Sequence, residues 1–401
     1  MLFLHAKKYE EHITFYIKAS YFLGIKTIVA ILIGDLVKIT LSAIKADIGS
    51  IGGHTQPSAA VLKAVRDFIF REKGNKIIDA YVGHCGDDIH ILMTHTHGEN
   101  SEQIHGLAWN AFQEGTKVAK AEGLYGAGQD LLKDAFTGNI HGMGPGYAEM
   151  TFEERESEPF IVFAADKTGP GAYNLMFYKM FCDESFTPGL ILSPAIKKGF
   201  RFTVMDVNYT EGDKVVELAV PEERLDLATL LRDENRFVVE SVNSKDNEPV
   251  LKNSTSRLHN IAGKYVGKDD PIALVRAQKN FPATEELCAP FRIAPFVTGD
   301  ARGSHVMAFM PVTLNSSASS DMCNPIVCAA GFNVKNGKLT GPIDLFADPM
   351  WDPIRKKAQK KSIFMREQGW FGAAMATTEE LSYTAMHDTL AELNKRFHVR
   401  K

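Results

Sequence analysis

The segment Gly263-Lys264-Tyr265-Val266-Gly267-Lys268-Asp269-Asp270-Pro271 places an amine directly beside two carboxylates, with a phenol three residues upstream of that amine. A lysine amine whose pKa is lowered can attack a carbonyl and form a Schiff base, and a phenol can move the protons that such a step requires. Adjacent aspartates are hard oxygen ligands suited to Mg²⁺, which in turn holds phosphate oxygens. Taken alone, a Lys-Asp-Asp triplet in a glycine-punctuated loop is a solvated charge cluster.

Three further acidic segments change that balance. Lys45-Ala46-Asp47-Ile48-Gly49-Ser50-Ile51-Gly52-Gly53-His54 follows an apolar run, so Asp47 leaves the end of an expected strand and His54 returns toward it across a glycine-rich turn. In Gly83-His84-Cys85-Gly86-Asp87-Asp88, the two aspartates point to opposite faces if extended, and so could bind two ions or share one through a bend. In Phe160 to Gly171 an apolar run ends in Asp166, Lys167 and a turn. One aspartate at a strand end is common punctuation. Repeated this often, the pattern is that of a polynuclear metal site.

Together with further motifs these segments resemble the archaeal and bacterial fructose-1,6-bisphosphate aldolase/phosphatase family. The residues that carry the resemblance include IKADIGS (44–50), GDD (86–88), MTHTHGE (93–99), LYGAGQDLL (124–132), GPGYAEM (144–150), ADKTGPGAYNL (165–175), IAGKYVGKDDP (261–271), RGSH (302–305) and GFNVKNG (331–337). So many motifs in one order are far more specific than any of them alone. The resemblance implies a gluconeogenic enzyme that condenses dihydroxyacetone phosphate with glyceraldehyde 3-phosphate. The same pocket would then remove the 1-phosphate of the product, giving fructose 6-phosphate.

Carried over position by position, the resemblance assigns several Mg²⁺ ions to Asp47, His54, Asp87, Asp88, Gln129, Asp166, Asp269 and Asp270. It makes Lys268 the Schiff-base residue, Tyr265 the proton donor and acceptor of the aldol step, and Asp47 the group that activates water for phosphate hydrolysis. His54, Tyr125, Gly138, Asn139, Lys167, Gln278, Lys279, Arg302, Asp321 and Tyr383 would line the sugar phosphate. An arginine fork matches phosphate oxygens in two-point contact, which suits Arg302 to that task. Two other readings remain open: a sugar bisphosphatase that has lost the aldolase half, indifferent to Lys268, and a non-catalytic sugar-phosphate-binding protein, which would have lost some aspartates.

Other reactive side chains are read as structural. His95 and His97 have the His-x-His spacing that opens some transition-metal sites, but Gly98-Glu99-Asn100 follows where further ligands would stand. His84, His90, His105 and His141 have no partner spacing and are expected to be packed or exposed. Lys264 competes with Lys268 on sequence grounds, and only the resemblance selects the latter.

The elements that must position these groups follow from periodicity. Strand-like runs near 39–46, 77–95, 160–165, 200–208 and 237–242 alternate with helix-like segments at 57–72, 101–122 and 377–397. Trp109, Phe112 and Val118 mark the apolar face of the second helix, and Gly123 its stop. This mixed order predicts an α+β protein. The resemblance sharpens it to a layered α-β-β-α sandwich over residues 37–401, one large domain with no linker composition, in which glycine-rich 138–146 and 263–267 are expected loops. Residues 1–36 fall outside the resemblance. Lys18 and Lys26 interrupt the apolar stretch from Ile13 to Ile33, so no membrane span of roughly 18 apolar residues is expected. A start assigned too far upstream is the simplest account of them.

With 45% hydrophobic and 23% charged residues the chain can build a large core, and a net charge of −4 disfavours a nucleic-acid partner. Five cysteines without CxxC spacing indicate neither a disulfide framework nor a zinc site, which points to the cytoplasm. A homo-octamer is implied by the resemblance alone.

Overall fold

The computed structural model describes residues 38–131, 144–258, 268–299, 306–318, 323–367 and 384–400. Among these, two sheets and their helices form the layers expected of an α-β-β-α sandwich. The smaller sheet has five strands in the order β10-β4-β1-β3-β2, comprising β1 (Lys38–Asp47), β2 (Asp79–Cys85), β3 (Asp88–His95), β4 (Gly146–Glu153) and β10 (Ser256–Arg257). The larger sheet contains ten strands, and two of them matter most for the site: β5 (Glu158–Asp166) and β11 (Ile272–Arg276). They pair antiparallel, with Ile272 opposite Ala164.

Side-chain alternation along each strand decides what fills each layer. On β1, Leu41 and Ala43 enter the apolar core between the sheets, whereas Ile44 and Ala46 face the helices Ala59–Glu72 and Glu102–Ala121. On β5, Phe160, Val162 and Ala164 face the other sheet, and Ile161, Phe163 and Ala165 pack under the helices of the outer layer, Asn174–Cys182 and Arg224–Leu231 among them. Both faces of β1 and β5 are therefore buried, which explains why these runs read as continuously apolar.

The helix Ala59–Glu72 starts at Ser58, whose hydroxyl accepts from the Val61 N–H at 3.1 Å. The helix Glu102–Ala121 buries Phe112 and leaves Trp109 and Val118 partly covered, and Gly123 follows its cap with φ +65°. The expected strand over 77–95 is a hairpin broken at Gly86-Asp87. Within the expected helix 377–397, residues 384–397 are described, and the helix among them is Met386–Asn394. Most of the two glycine-rich segments expected as loops lies outside the described residues. No helix among the described residues is long and apolar enough to cross a membrane.

Candidate active site

The alternation that fills the inter-sheet core with Leu41, Ala43, Phe160, Val162 and Ala164 carries straight on to charged residues at one end of the same layer. Lys45 and Asp47 continue the inward face of β1, and register sets Asp47 opposite Asp88, the first residue of β3. Asp166 continues the inward face of β5. Asp270, two residues before β11, keeps the parity of Ile272 and Leu274. Two antiparallel pairs, one in each sheet, thus deliver their acids to the same edge.

The hairpin turn splits the neighbouring aspartates between two clusters. Asp47, His54 and Asp87 bring ligating atoms within 4.8 Å of one another, and Asp88, Asp166 and Asp270 do the same. Of the arrangements open to Asp87 and Asp88, the structure adopts the one that divides them between two side-chain clusters. Gly86 makes the turn possible, with φ +57° and a position where a Cβ would lie 1.6 Å from Asp166 Oδ2.

Lysines cross between the sheets in both directions. Lys167, directly after β5 of the larger sheet and with φ +61°, reaches Asp87 Oδ1 at 2.5 Å and Asp166 Oδ1 at 3.1 Å. Lys45, 1% exposed on the smaller sheet, pairs with Asp88 and donates to the Ala165 carbonyl at 2.8 Å. Lys268 lies 3.1 Å from Asp269 Oδ1 and 3.4 Å from Asp130 Oδ2. Gly146 leaves room for that lysine, since a Cβ there would stand 2.7 Å from Lys268 Cγ.

The electrostatics follow from crowding in a dry site. Burial, then the charges of Asp87, Asp88 and Asp130, pushes the Asp47 carboxyl well above its ordinary range. Burial does the same to Asp166 and Asp270. Burial acts against Asp87 too, but Lys167 and His54 outweigh it and hold this carboxyl low. Asp130 is raised to about 7 by burial, with Lys268 opposing. Burial would lower the three lysines, yet the surrounding carboxylates win and raise Lys45, Lys167 and Lys268.

Divalent ions fit this set. With Asp47, Asp87, Asp88, Asp130, Asp166, Asp269 and Asp270 ionised and the three lysines protonated, four negative charges stay uncompensated, which two such ions would balance. Among the described residues no hydrogen-bond donor reaches the buried Asp166 Oδ2, as would hold for a ligand oxygen. The donors are carboxylates and one imidazole, a hard set.

Access lies on the His54 side. Its ring is exposed, 3.3 Å from Asp87 Oδ2, and meets Tyr125 edge-on at 4.8 Å between centroids. Tyr125, 58% exposed, is tied by backbone bonds in both directions to Ser50. The two rings form a rim above the buried carboxylates.

The expected residues do not all converge. Gln129 sits half-buried on the short turn Gln129–Leu131, with its Oε1 folded over Gly126, and its neighbour Asp130 makes the contacts to Asp47 and Lys268. Gln278 and Lys279 have φ of 66° and 57° and follow the far end of β11, about 20 Å from Asp270 at roughly 3.3 Å per residue. Gln278 there accepts from Arg155 through its carbonyl at 2.9 Å. Tyr265, Gly138, Asn139, Arg302, Asp321 and Tyr383, with Lys264 and His141, lie outside the described residues.

The set-aside histidines are structural where described. His95, 1% exposed, bonds Ser42 Oγ at 2.7 Å, and His105 meets Glu149 at 3.1 Å. His84 is buried and bonds the Gly86 carbonyl at 2.9 Å, and His90 is buried in the inter-sheet layer. His97 is exposed. Lys45 and Asp130 had no place among the expected site residues. A lysine on the inward face of an apolar strand was the available signal for the first.

Residues 38–398 match the family model described as fructose-1,6-bisphosphatase. Within that class, the chain is 55% identical over 361 residues to a protein of Thermus thermophilus named fructose-1,6-bisphosphate aldolase/phosphatase, covering 90% of this chain and 99% of that one. Proteins of the same name from Cenarchaeum symbiosum and Methanothermobacter marburgensis are 52% and 44% identical over 346 and 363 residues, covering 86% and 90% of this chain and 91% and 99% of theirs. The chain belongs to the fructose-1,6-bisphosphate aldolase/phosphatase family.

Proposed function

We propose that this protein is a bifunctional gluconeogenic enzyme that condenses dihydroxyacetone phosphate and glyceraldehyde 3-phosphate and then hydrolyses the 1-phosphate of the product to give fructose 6-phosphate. The observation that carries the reading is the convergence of a buried lysine and two carboxylate triplets at one edge of the inter-sheet layer. Asp47, His54 and Asp87 would hold one Mg²⁺ and Asp88, Asp166 and Asp270 another, and Asp269 and Gln129 complete our assignment of the metal ligands. Bound there, the ions would neutralise phosphate charge and supply an acidified water.

The chain's own residues supply the rest. Lys167 places a cation at Asp87 where a phosphate would enter past His54 and Tyr125. Lys268 attacks the ketone of dihydroxyacetone phosphate, and Tyr265 moves the protons at the new bond. Asp47, with its backbone fixed by Asp130 and its Oδ1 accepting from the Gly49 N–H at 3.1 Å, receives the proton of the attacking water. Gly138, Asn139, Arg302, Asp321 and Tyr383 complete our assignment of the substrate contacts.

The catalytic unit is residues 37–401, placed in the cytoplasm, with residues 1–36 an extension. We also propose a homo-octamer, in which contacts between subunits cover apolar surface such as Leu192 and Leu225, each 75% exposed.

One observation favours a second reading, a bisphosphatase alone: burial would lower the Lys268 amine, but the carboxylates around it outweigh burial and raise it, which disfavours the free amine that attack requires. Lys268→Arg separates the two. The substitution keeps the charge but cannot form an imine, so condensation of triose phosphates should vanish while phosphate release from fructose 1,6-bisphosphate survives in part. A variant that still condenses trioses would refute Lys268 as the Schiff-base residue, and a parent that condenses none would leave only the bisphosphatase.

A further inference from the structure

We propose that Asp130 is the positioning residue for Lys268: one carboxylate oxygen, Oδ2, receives both the Lys268 ammonium and the Asp47 backbone N–H, and so sets the reacting amine against the end of β1. The distances are 3.4 Å and 2.9 Å. This inference rests on the Schiff-base reading of Lys268 given above.

Several observations separate Asp130 from the aspartates around it. It belongs to neither carboxylate triplet. It is 2% exposed, and among the described residues its second oxygen has no hydrogen-bond partner, so a single oxygen carries both the backbone contact and the ammonium contact. The turn that carries it is anchored: the Gly128 N–H donates to the Ile48 carbonyl at 2.9 Å, and Leu131 closes back on Gly128. Ile48 directly follows Asp47, so the turn and the strand end are tied at consecutive residues. On the other side, the Lys268 N–H donates to the Thr255 carbonyl at 3.4 Å, and the bare Gly146 lets the aliphatic stem lie flat. Lys268 is thus held at both ends of its side chain.

The chemistry gives Asp130 two duties. An ammonium and a ketone yield an iminium and water: the C–N bond forms, the carbonyl oxygen leaves as water with two of the amine's protons, and the positive charge stays on nitrogen. A fixed acceptor orients the amine before attack, and a carboxylate in the same place remains a counter-charge for the iminium. An amide would keep the shape, and it would still accept from Asp47 N–H through its oxygen, but it offers no counter-charge.

Asp130→Asn tests this. The parent and the variant are incubated with dihydroxyacetone phosphate and borohydride, which delivers hydride to the iminium carbon and leaves a stable secondary amine; mass spectrometry then locates and times the label. We expect the rate of labelling at Lys268, and kcat for condensation, to fall about tenfold or more with KM for the trioses little changed. Phosphate release should fall much less, and Asp130→Glu should regain part of the labelling. Labelling of Lys268 at the parental rate in Asp130→Asn overturns the inference, as does an equal loss of both activities. A label elsewhere in the parent overturns the Schiff-base reading itself, which is a distinguishable failure. If Asp130→Asn does not fold, Asp130→Glu decides alone, because moving the carboxylate by one methylene should slow labelling more than phosphate release, and parental labelling there overturns the inference.

Discussion

Gly86→Ala should dismantle the second carboxylate triplet without touching any acid. The new Cβ would lie 1.6 Å from Asp166 Oδ2 and 2.4 Å from its Cγ, so Asp166 must move. Leaving its place breaks the bond from the Lys167 N–H at 2.8 Å and the contact to Lys167 Nζ at 3.1 Å. Bonds to a charged group contribute about 1.5–3 kcal/mol each, and an alanine at φ +57° adds about 1–2 kcal/mol of backbone cost. Moving Asp166 away from Asp88 and Asp270 returns some repulsion, so a net loss of about 3–5 kcal/mol is expected. Gly98→Ala is the matched control: φ is +77°, but no atom of the described residues lies within 4 Å of the new Cβ, so only the backbone cost of about 1–2 kcal/mol applies. Denaturant unfolding of both variants measures the difference, repeated with Mg²⁺ present. The gap should widen with the ion, because the ion removes the repulsion whose relief softened the loss. Gly86→Ala as stable as Gly98→Ala, with parental phosphate release, would refute the geometry.

The other expectations are simpler. Asp87→Ala should abolish phosphate release from fructose 1,6-bisphosphate, and EDTA should do the same to the parent; near-normal release would sink the metal assignment. Burial lowers His90 from 6.5 to about 3, so between these values the unfolded chain binds the extra proton and stability falls as pH drops below about 6.5. The raised carboxylates act with the opposite sign but are common to His90→Gln, so from pH 7.5 to 5.5 the parent should lose about 1.4 kcal/mol more than that variant, and equal losses would refute a buried neutral imidazole. Deleting residues 1–36 should leave activity and solubility unchanged, since β1 begins at Lys38 and the family match at the same residue; an insoluble product would show that the segment packs on the enzyme.

Much of the site was legible because its acids end strands. Asp47 and Asp166 close apolar runs, and period-two alternation already puts each on a definite face. The helix Glu102–Ala121 was bounded to within a residue by its periodicity and Gly123, both local signals. Family resemblance named Lys268, which residue types alone left level with Lys264.

Only the tertiary structure decided how the acids group. Asp87 and Asp88 are neighbours in sequence, yet they serve different triplets, because a hairpin turn at Gly86 rotates one away and a strand of the other sheet brings Asp166 to its partner. Lys45 looked like one charge in a motif until the pairing of β1 with β3 set it beside Asp88 and the packing of the two sheets set it against the Ala165 carbonyl. Asp130 stood next to the residue expected to bind metal, and its contacts to Asp47 and Lys268 span 83 and 138 positions of chain. Alternation along a strand is a property of neighbouring residues, so the sequence determines it. Which strand lies across the gap depends on pairings between segments far apart in the chain, and the charge each acid carries depends on the company that those pairings bring.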